Sequence, residues 1–326
     1  MAVSMKAQSV HNAASRGDIQ TLMQLIEERE VLLSKTAAGW TLLHTIAQHD
    51  HDKVACLFQD RYQLDPNAKA SMKETPLHVC AIYGSSKVCD WLLSQGGEPD
   101  DKDDNGWTPI HYAARFGHQQ VLEELRKEHR RRTEQRMEQE RRDRASQRMS
   151  SRSRNAEQVD DDPAANRYTD PETTDGWTPL HVAARFEQVD IITYLLASAA
   201  DKEAKDCQGL LCACARAWGW AARMGQGACA ERAHADPGCL FSSRHVAGWT
   251  ALHVAVRHGL TKVVTHLLNH RLDVDARTKG SESAGHIALK YRHVGIVDVL
   301  LNYGMNIETR DDKGETMLQS VPHTTA

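Results

Sequence analysis

No stretch of this chain stays apolar for more than a few residues, far short of the roughly 20-residue helix that crosses a bilayer. The N-terminus, MAVSMKAQSVHNAASRGD, has no charged segment followed by an apolar run, which argues against a secretory signal. The 8 cysteines lack the spacing of a disulfide framework, and Cys56, Cys80 and Cys89 fall inside helical patterns, as buried thiols in a reducing compartment do. The net charge is only −4, so the molecule as a whole has no bias toward nucleic acid. Also missing are G-x-S-x-G, the P-loop, H-E-x-x-H and a G-x-G-x-x-G after a strand. These absences leave the expectation of a non-enzymatic cytoplasmic or nuclear protein, with no membrane insertion, no cofactor and no metal.

What the chain does have is a period. The stretch 103–125, DDNGWTPIHYAARFGHQQVLEEL, returns in part as AAGWTLLHTIAQHD (37–50), MKETPLHVCAIYG (72–84), TDGWTPLHVAARFE (174–187) and AGWTALHVAVRHG (247–259). His11, His44, His78 and His111 are 33, 34 and 33 residues apart, and His253 and His286 again 33. From His111 to His181 the gap is 70, one unit plus 37; from His181 to His253 it is 72, two units plus six.

Each unit has a physical logic. Thr108 stands where an N-cap hydroxyl meets an orphan N–H. Pro109 takes the first helical position, where a missing N–H costs nothing. Ala113 and Ala114 let a second helix approach, and Gly117 suits a left-handed helix end. Val121, Leu122 and Leu125 form the apolar face of that second helix. One such pair cannot bury its own apolar face, so units must stack. At 326 residues the chain exceeds the usual single core, but a stack needs none. The motif resembles the ankyrin-repeat family, whose unit is about 33 residues around T-P-L-H-x-A. The resemblance implies an all-α solenoid of about eight helix–turn–helix units joined by β-hairpin fingers. On that reading His11, His44, His78, His111, His181, His253 and His286 are structural repeat residues.

The domain reading follows. Residues 1–125 hold units one to four, the first (9–36) an atypical cap. Residues 126–173 are a charged insertion, expected to be largely disordered with a possible exposed helix. Its 126–154 part has twelve Lys/Arg against five Asp/Glu, and 155–175 has seven Asp/Glu against Arg167. Residues 174–209 hold unit five and the start of a sixth. Residues 210–246 are that unit in degenerate form, either decayed or a coding-sequence error. Residues 247–319 hold units seven, eight and a truncated ninth, and 320–326 are a tail. Cys207, Cys212, Cys214, Cys229, Cys239, His234 and His245 cluster in the degenerate unit without a second zinc knuckle. Ser146 and Ser151 follow arginines in patterns that suit a basophilic kinase, and RKEHRRR (126–132) is a possible nuclear-import run.

For function, the resemblance implies recognition of other proteins on the concave surface. The expected role is a scaffold or adaptor, monomeric by default. The alternative is a regulatory or substrate-recruiting segment of a larger enzyme or channel. Positions exposed on the concave side in such proteins are here Trp40, Trp107, Trp177 and Trp249 on the fingers. On the inner helices they are Arg115-Phe116, Arg185-Phe186 and Arg257. Trp and Arg are enriched in binding hot spots; the other reading of these positions is that the tryptophans pack between adjacent fingers and the arginines stack on the phenylalanines.

Overall fold

The computed structural model describes residues 2–25, 35–62, 64–150, 170–198 and 248–319, without the side chains of 2–7, 59–61 and 145–150. Ser151, the return of the insertion (151–169), the expected sixth unit with its Cys/His cluster, and the 320–326 tail lie outside the described residues. Among the described residues there are fourteen α-helices and no strand. They run as pairs: α1 (Ala2–Arg16) with α2 (Ile19–Leu25), α3 (Leu42–Gln48) with α4 (Asp52–Tyr62), α5 (Pro76–Tyr83) with α6 (Ser86–Ser94), and α7 (Pro109–Phe116) with α8 (Gln119–Ser150). Then follow α9 (Pro179–Arg185) with α10 (Val189–Ala197), α11 (Ala251–Arg257) with α12 (Thr261–Asn269), and α13 (Ala284–Lys290) with α14 (Val294–Asn302). First helices pack on first helices and second on second, which makes a solenoid of seven stacked pairs among the described residues. The fingers are tight turns closed by main-chain bonds such as Asp103 N–H to Trp107 O (3.0 Å) and Gly106 N–H to Asp103 O (2.9 Å). Single bridges, Arg277 with Ser283 and Arg310 with Thr316, stand where longer hairpins were expected.

The first helices begin alike. Thr108 is extended (φ −96°, ψ 165°) before Pro109, and His111 closes a capping box with it. They end according to what the next layer presents. A Cβ on Gly17, Gly84, Gly117 or Gly259 would meet the side chain of His51, His118, Gln188 or His293 in the following repeat. Asp50 takes the same left-handed turn at φ 55°. A left-handed non-glycine residue costs roughly 1–2 kcal/mol. Asp50 offsets this by accepting, through Oδ1, from Val88 N–H at 3.0 Å at the start of α6.

The fourth repeat departs at its second helix. Its partners stop at a left-handed turn residue, Gly96 (φ 88°) or Gly304 (φ 83°); the equivalent position here is His129, which stays helical. α8 therefore runs for 32 residues, about 48 Å at 1.5 Å per residue. Arg126 occupies the position of Leu93, Leu196 and Leu268. It is buried (side chain 3% exposed) and bound to Asp170 at 2.8 Å, to the Ser198 hydroxyl and against the Tyr194 ring. His129 reaches Asp100, and Arg132 donates to Gly97 O at 2.9 Å. Farther out the helix is exposed and carries i,i+4 pairs such as Glu138 with Arg142 (3.1 Å).

One expectation changes. The 72-residue gap implied a sixth layer between units five and seven. The structure makes them direct neighbours: α9 packs on α11, and His181 Nε2 bonds to Trp249 O at 2.9 Å. Period arithmetic counts residues along the chain, whereas the stack requires only that matching faces meet. Cys56 also differs from the buried thiols expected. Cys80 and Cys89 are buried, but Cys56 is exposed, because its place on the second helix is the outward one that Asp90 and Asp298 hold elsewhere. Burial pushes the Cys80 and Cys89 thiols well up.

Candidate protein-interaction surface

The period histidines stitch the layers. Thr108 donates its N–H (3.2 Å) and its hydroxyl (2.8 Å) to His111 Nδ1. His111 Nε2 bonds to Trp177 O at 2.9 Å. A carbonyl only accepts, so Nε2 carries the proton and Nδ1 is the acceptor. The same arrangement links His44 to Glu74 O (3.0 Å), His78 to Trp107 O (3.0 Å), His253 to Ala276 O (3.1 Å) and His286 to Glu315 O (3.3 Å). His11 instead meets Thr45 Oγ1 at 2.6 Å. Burial lowers His44 to about 4 and His111 to about 3. A proton on Nδ1 would break the bond from the threonine N–H, so His44 and His111 are held as neutral connectors.

A second row is harder to see in the sequence. His51, His118 and His293 each bond through Nε2, at 3.0 Å, to a carbonyl near the end of the preceding first helix: Ser15, Ile82 and Arg257. Gln188 does the same with Arg115 O at 3.1 Å. The signal was present, since each immediately follows the residue that ends its first helix.

The fingers hold the tryptophans inward. Trp40, Trp107, Trp177 and Trp249 are 8, 2, 1 and 2% exposed, so they pack in the core, the second of the two readings of their position. Each indole lies 6.0–6.2 Å from the histidine of its own repeat. Trp40 stacks on its ring and the other three lie tilted against theirs, and burying an indole contributes more than exposing it on a finger.

The inner helices keep their polar ends at the surface. Arg115, Phe116, Arg185 and Phe186 are half-buried, and the arginines form a ladder that crosses layers. The Arg115 guanidinium stacks on Phe186 of the next repeat (4.6 Å). Arg185 Nη1 donates to His258 Nδ1 of the next (2.8 Å). Arg257 stacks on Tyr291 of the last (5.3 Å) and on its own Trp249 (5.6 Å). Each cation therefore docks on the ring that follows the equivalent cation one layer on. Burial, then Arg185 and Arg257, lowers His258 to about 2, which keeps Nδ1 free to accept. Sequence reasoning singled out the arginines, but not His258 or Tyr291 as their cross-layer partners.

No group of three or more metal-ligating side chains occurs among the described residues. No described helix is long and apolar enough to cross a membrane.

Comparison with known proteins agrees with this geometry. The family model for ankyrin repeats (3 copies) matches residues 10–103, 62–137 and 218–311, and a single ankyrin repeat matches 175–207. The third stretch begins among residues outside the description and ends in the last repeat. Human Rabankyrin-5 is 26% identical over 257 residues, covering 74% of this chain and 20% of its own length. A Caenorhabditis elegans homolog of transient receptor potential cation channel subfamily A member 1 is 30% identical over 115 residues, 35% of this chain and 9% of that protein. Human SH3 and multiple ankyrin repeat domains protein 2 is 39% identical over 88 residues, 27% of this chain and 5% of that protein. The chain thus spans a fifth or less of these relatives. The solved ankyrin repeat domain of human ASB11 superposes with a TM-score of 0.58 at 19% identity, covering 91% of this chain and 98% of that one. That of Bcl-3 gives 0.54 at 18%, covering 96% and 93%. With its period, its stacked helix pairs and its histidine connectors, the chain belongs to the ankyrin-repeat family.

Proposed function

We propose that this chain is a non-catalytic scaffold or adaptor that binds a partner protein along the inner helices that carry Arg115, Arg185 and Arg257. Ankyrin repeats are in general interaction domains, which supports recognition over catalysis. The observation that carries the location is the arginine ladder. Arg115, Arg185 and Arg257 sit at one position in three successive layers, each against an aromatic ring. The equivalent residues of the first three repeats, Ser15, Gln48 and Ile82, carry no charge. The tryptophans lend the ledge rigidity from beneath and are not contacts. Cross-linking of the full chain to co-purified partners, with and without Arg115→Ala plus Arg185→Ala, tests this. Cross-links should fall on 110–117, 180–187 and 252–259 and be lost in the double variant. Cross-links confined to the second helices or to α8 would refute it.

A second reading is that the repeats serve as a regulatory or recruiting segment of a larger enzyme or channel. It draws on the match to a cation-channel homolog of which this chain covers only 9%. Sequencing the full-length transcript separates the two, since an additional catalytic or membrane domain would favour the second.

A further inference from the structure

The ladder also says what kind of partner segment it fits. Arg257 is only 8% exposed, yet among the described residues nothing accepts a hydrogen bond from its guanidinium. Its contacts are the two rings, Trp249 and Tyr291. One layer back, Arg185 gives Nη1 to His258, while its buried Nε has no acceptor. Neither arginine forms an ion pair among the described residues, in contrast to Lys290, which is tied to Glu282 at 2.8 Å. Between them, Arg185 and Arg257 both press positive charge on His258. A guanidinium clamped between rings and almost cut off from water gains from an acceptor that a ligand brings to its edge. Planar donors held flat by rings suit the carboxylate group.

Spacing narrows the ligand. Packed helices lie about 8–10 Å apart, so equivalent side chains in successive layers repeat at about that distance. A polyproline II strand has three residues per turn and a rise of about 3.1 Å, which puts every third side chain on one face at about 9.3 Å. A β-strand would turn every third residue to the opposite face. We propose that the ledge of Arg115, Arg185 and Arg257 binds an extended, acidic peptide segment in polyproline II form, with Asp or Glu at every third position, Arg257 being the anchor. This rests on the protein-binding reading above and specifies its partner.

The test uses the full chain and two labelled peptides of one composition, Glu-Pro-Pro repeated three times and three Glu followed by six Pro, read by fluorescence anisotropy. The spaced peptide should bind at least about ten-fold tighter than the clustered one. Raising salt should weaken it steeply, since the screening length falls from about 10 Å at 0.1 M to about 3 Å at 1 M. Arg257→Gln should lose roughly ten-fold in affinity for the spaced peptide, and Arg257→Lys less, with the folded state of each verified by circular dichroism. Equal affinity for both peptides overturns the spacing, and no binding of either at about millimolar peptide overturns the anionic ligand. The peptide comparison needs no variant, so it holds even if Arg257→Gln fails to fold. If partner cross-links fall on the ledge while the spaced peptide fails, this inference falls and the interaction reading stands. If the cross-links lie elsewhere, the interaction reading falls as well.

Discussion

The chain leaves its period twice, and the two junctions are closed in different ways. Across 126–169 the fourth and fifth repeats meet through His111 and Trp177 O at 2.9 Å. Across 199–247 the fifth meets the repeat opening at 247 through His181 and Trp249 O, also at 2.9 Å. The uninterrupted junction, His78 to Trp107 O, measures 3.0 Å. Stacking therefore depends on the matching faces and not on the length of chain between them, as expected when loop closure costs only about 0.6 kcal/mol per doubling. The flanks differ. The first junction adds a buried ion pair, Arg126 with Asp170, and launches a helix. The second adds hydrogen bonds to neutral acceptors: Arg185 on His258, and Thr193 Oγ1 on His266 Nε2 at 2.9 Å. An insertion that leaves through a helix needs a polar residue to turn the returning chain back onto the stack. One that leaves after α10 keeps the usual leucine, Leu196, at that place.

The largest expected effect breaks the first junction and spares the second. Asp170→Ala strands Arg126, whose side chain is 3% exposed, and should cost about 3–5 kcal/mol in urea unfolding. The double variant Arg126→Leu/Asp170→Ala restores the leucine of the other repeats and should recover most of that loss. A double variant no better than the single would show that the packing there is not equivalent to Leu93, Leu196 and Leu268.

Acid should loosen the first junction together with the uninterrupted layers before it. His44 and His111 sit at about 4 and about 3 in the fold, against an ordinary value of about 6.5. Burial lowers His78 as well. Between those values the unfolded chain binds more protons than the folded one. The stability these rings contribute is thus complete above pH 6.5 and is lost as pH falls toward 3. The loss from pH 7 to 4.5 should be on the order of a few kcal/mol; a midpoint in urea that stays constant over that range would contradict the neutral connector.

Single connectors come next in size. His78→Ala, His111→Ala and His181→Ala each leave a buried threonine N–H and a tryptophan carbonyl without their partner, which should cost about 1–3 kcal/mol. Equal losses in all three would show that interruption does not weaken a junction. A markedly smaller loss for His181→Ala would mean that the second junction is looser than its geometry implies.

Much of this was legible in the sequence, for reasons that can be located. Thr-Pro at the helix start, Gly at its end and the histidine ruler are local signals, and each repeat states them again. The ladder positions of Arg115, Arg185 and Arg257 follow from the same register. What escaped depends on pairs far apart in the chain. Arg126 and Asp170 are 44 residues apart and stand on opposite sides of a charge reversal, so composition pointed to solvated polymer where these two, with His129 and Thr173, are buried. The tryptophans carried two readings, packed or partner-facing, because a finger position does not reveal which way its side chain turns. The direct contact of units five and seven was hidden by a gap of 72 residues that happens to be near two periods.

That last point yields the smallest effect and the sharpest comparison of the junctions. If the 174–198 and 248–269 pairs are direct neighbours, replacing residues 199–247 by about ten Gly/Ser residues removes no layer between them. Shortening a loop from about fifty residues to about ten should stabilise the chain by on the order of 1 kcal/mol. Had a sixth unit stood in the stack, its removal would delete two nearest-neighbour interfaces and destabilise the chain by several times that amount. Urea unfolding of the shortened chain, combined with His181→Ala, decides between them. A raised midpoint together with an undiminished cost of the alanine change shows that His181 and Trp249 already meet in the full chain. A lowered midpoint returns the missing layer to the stack.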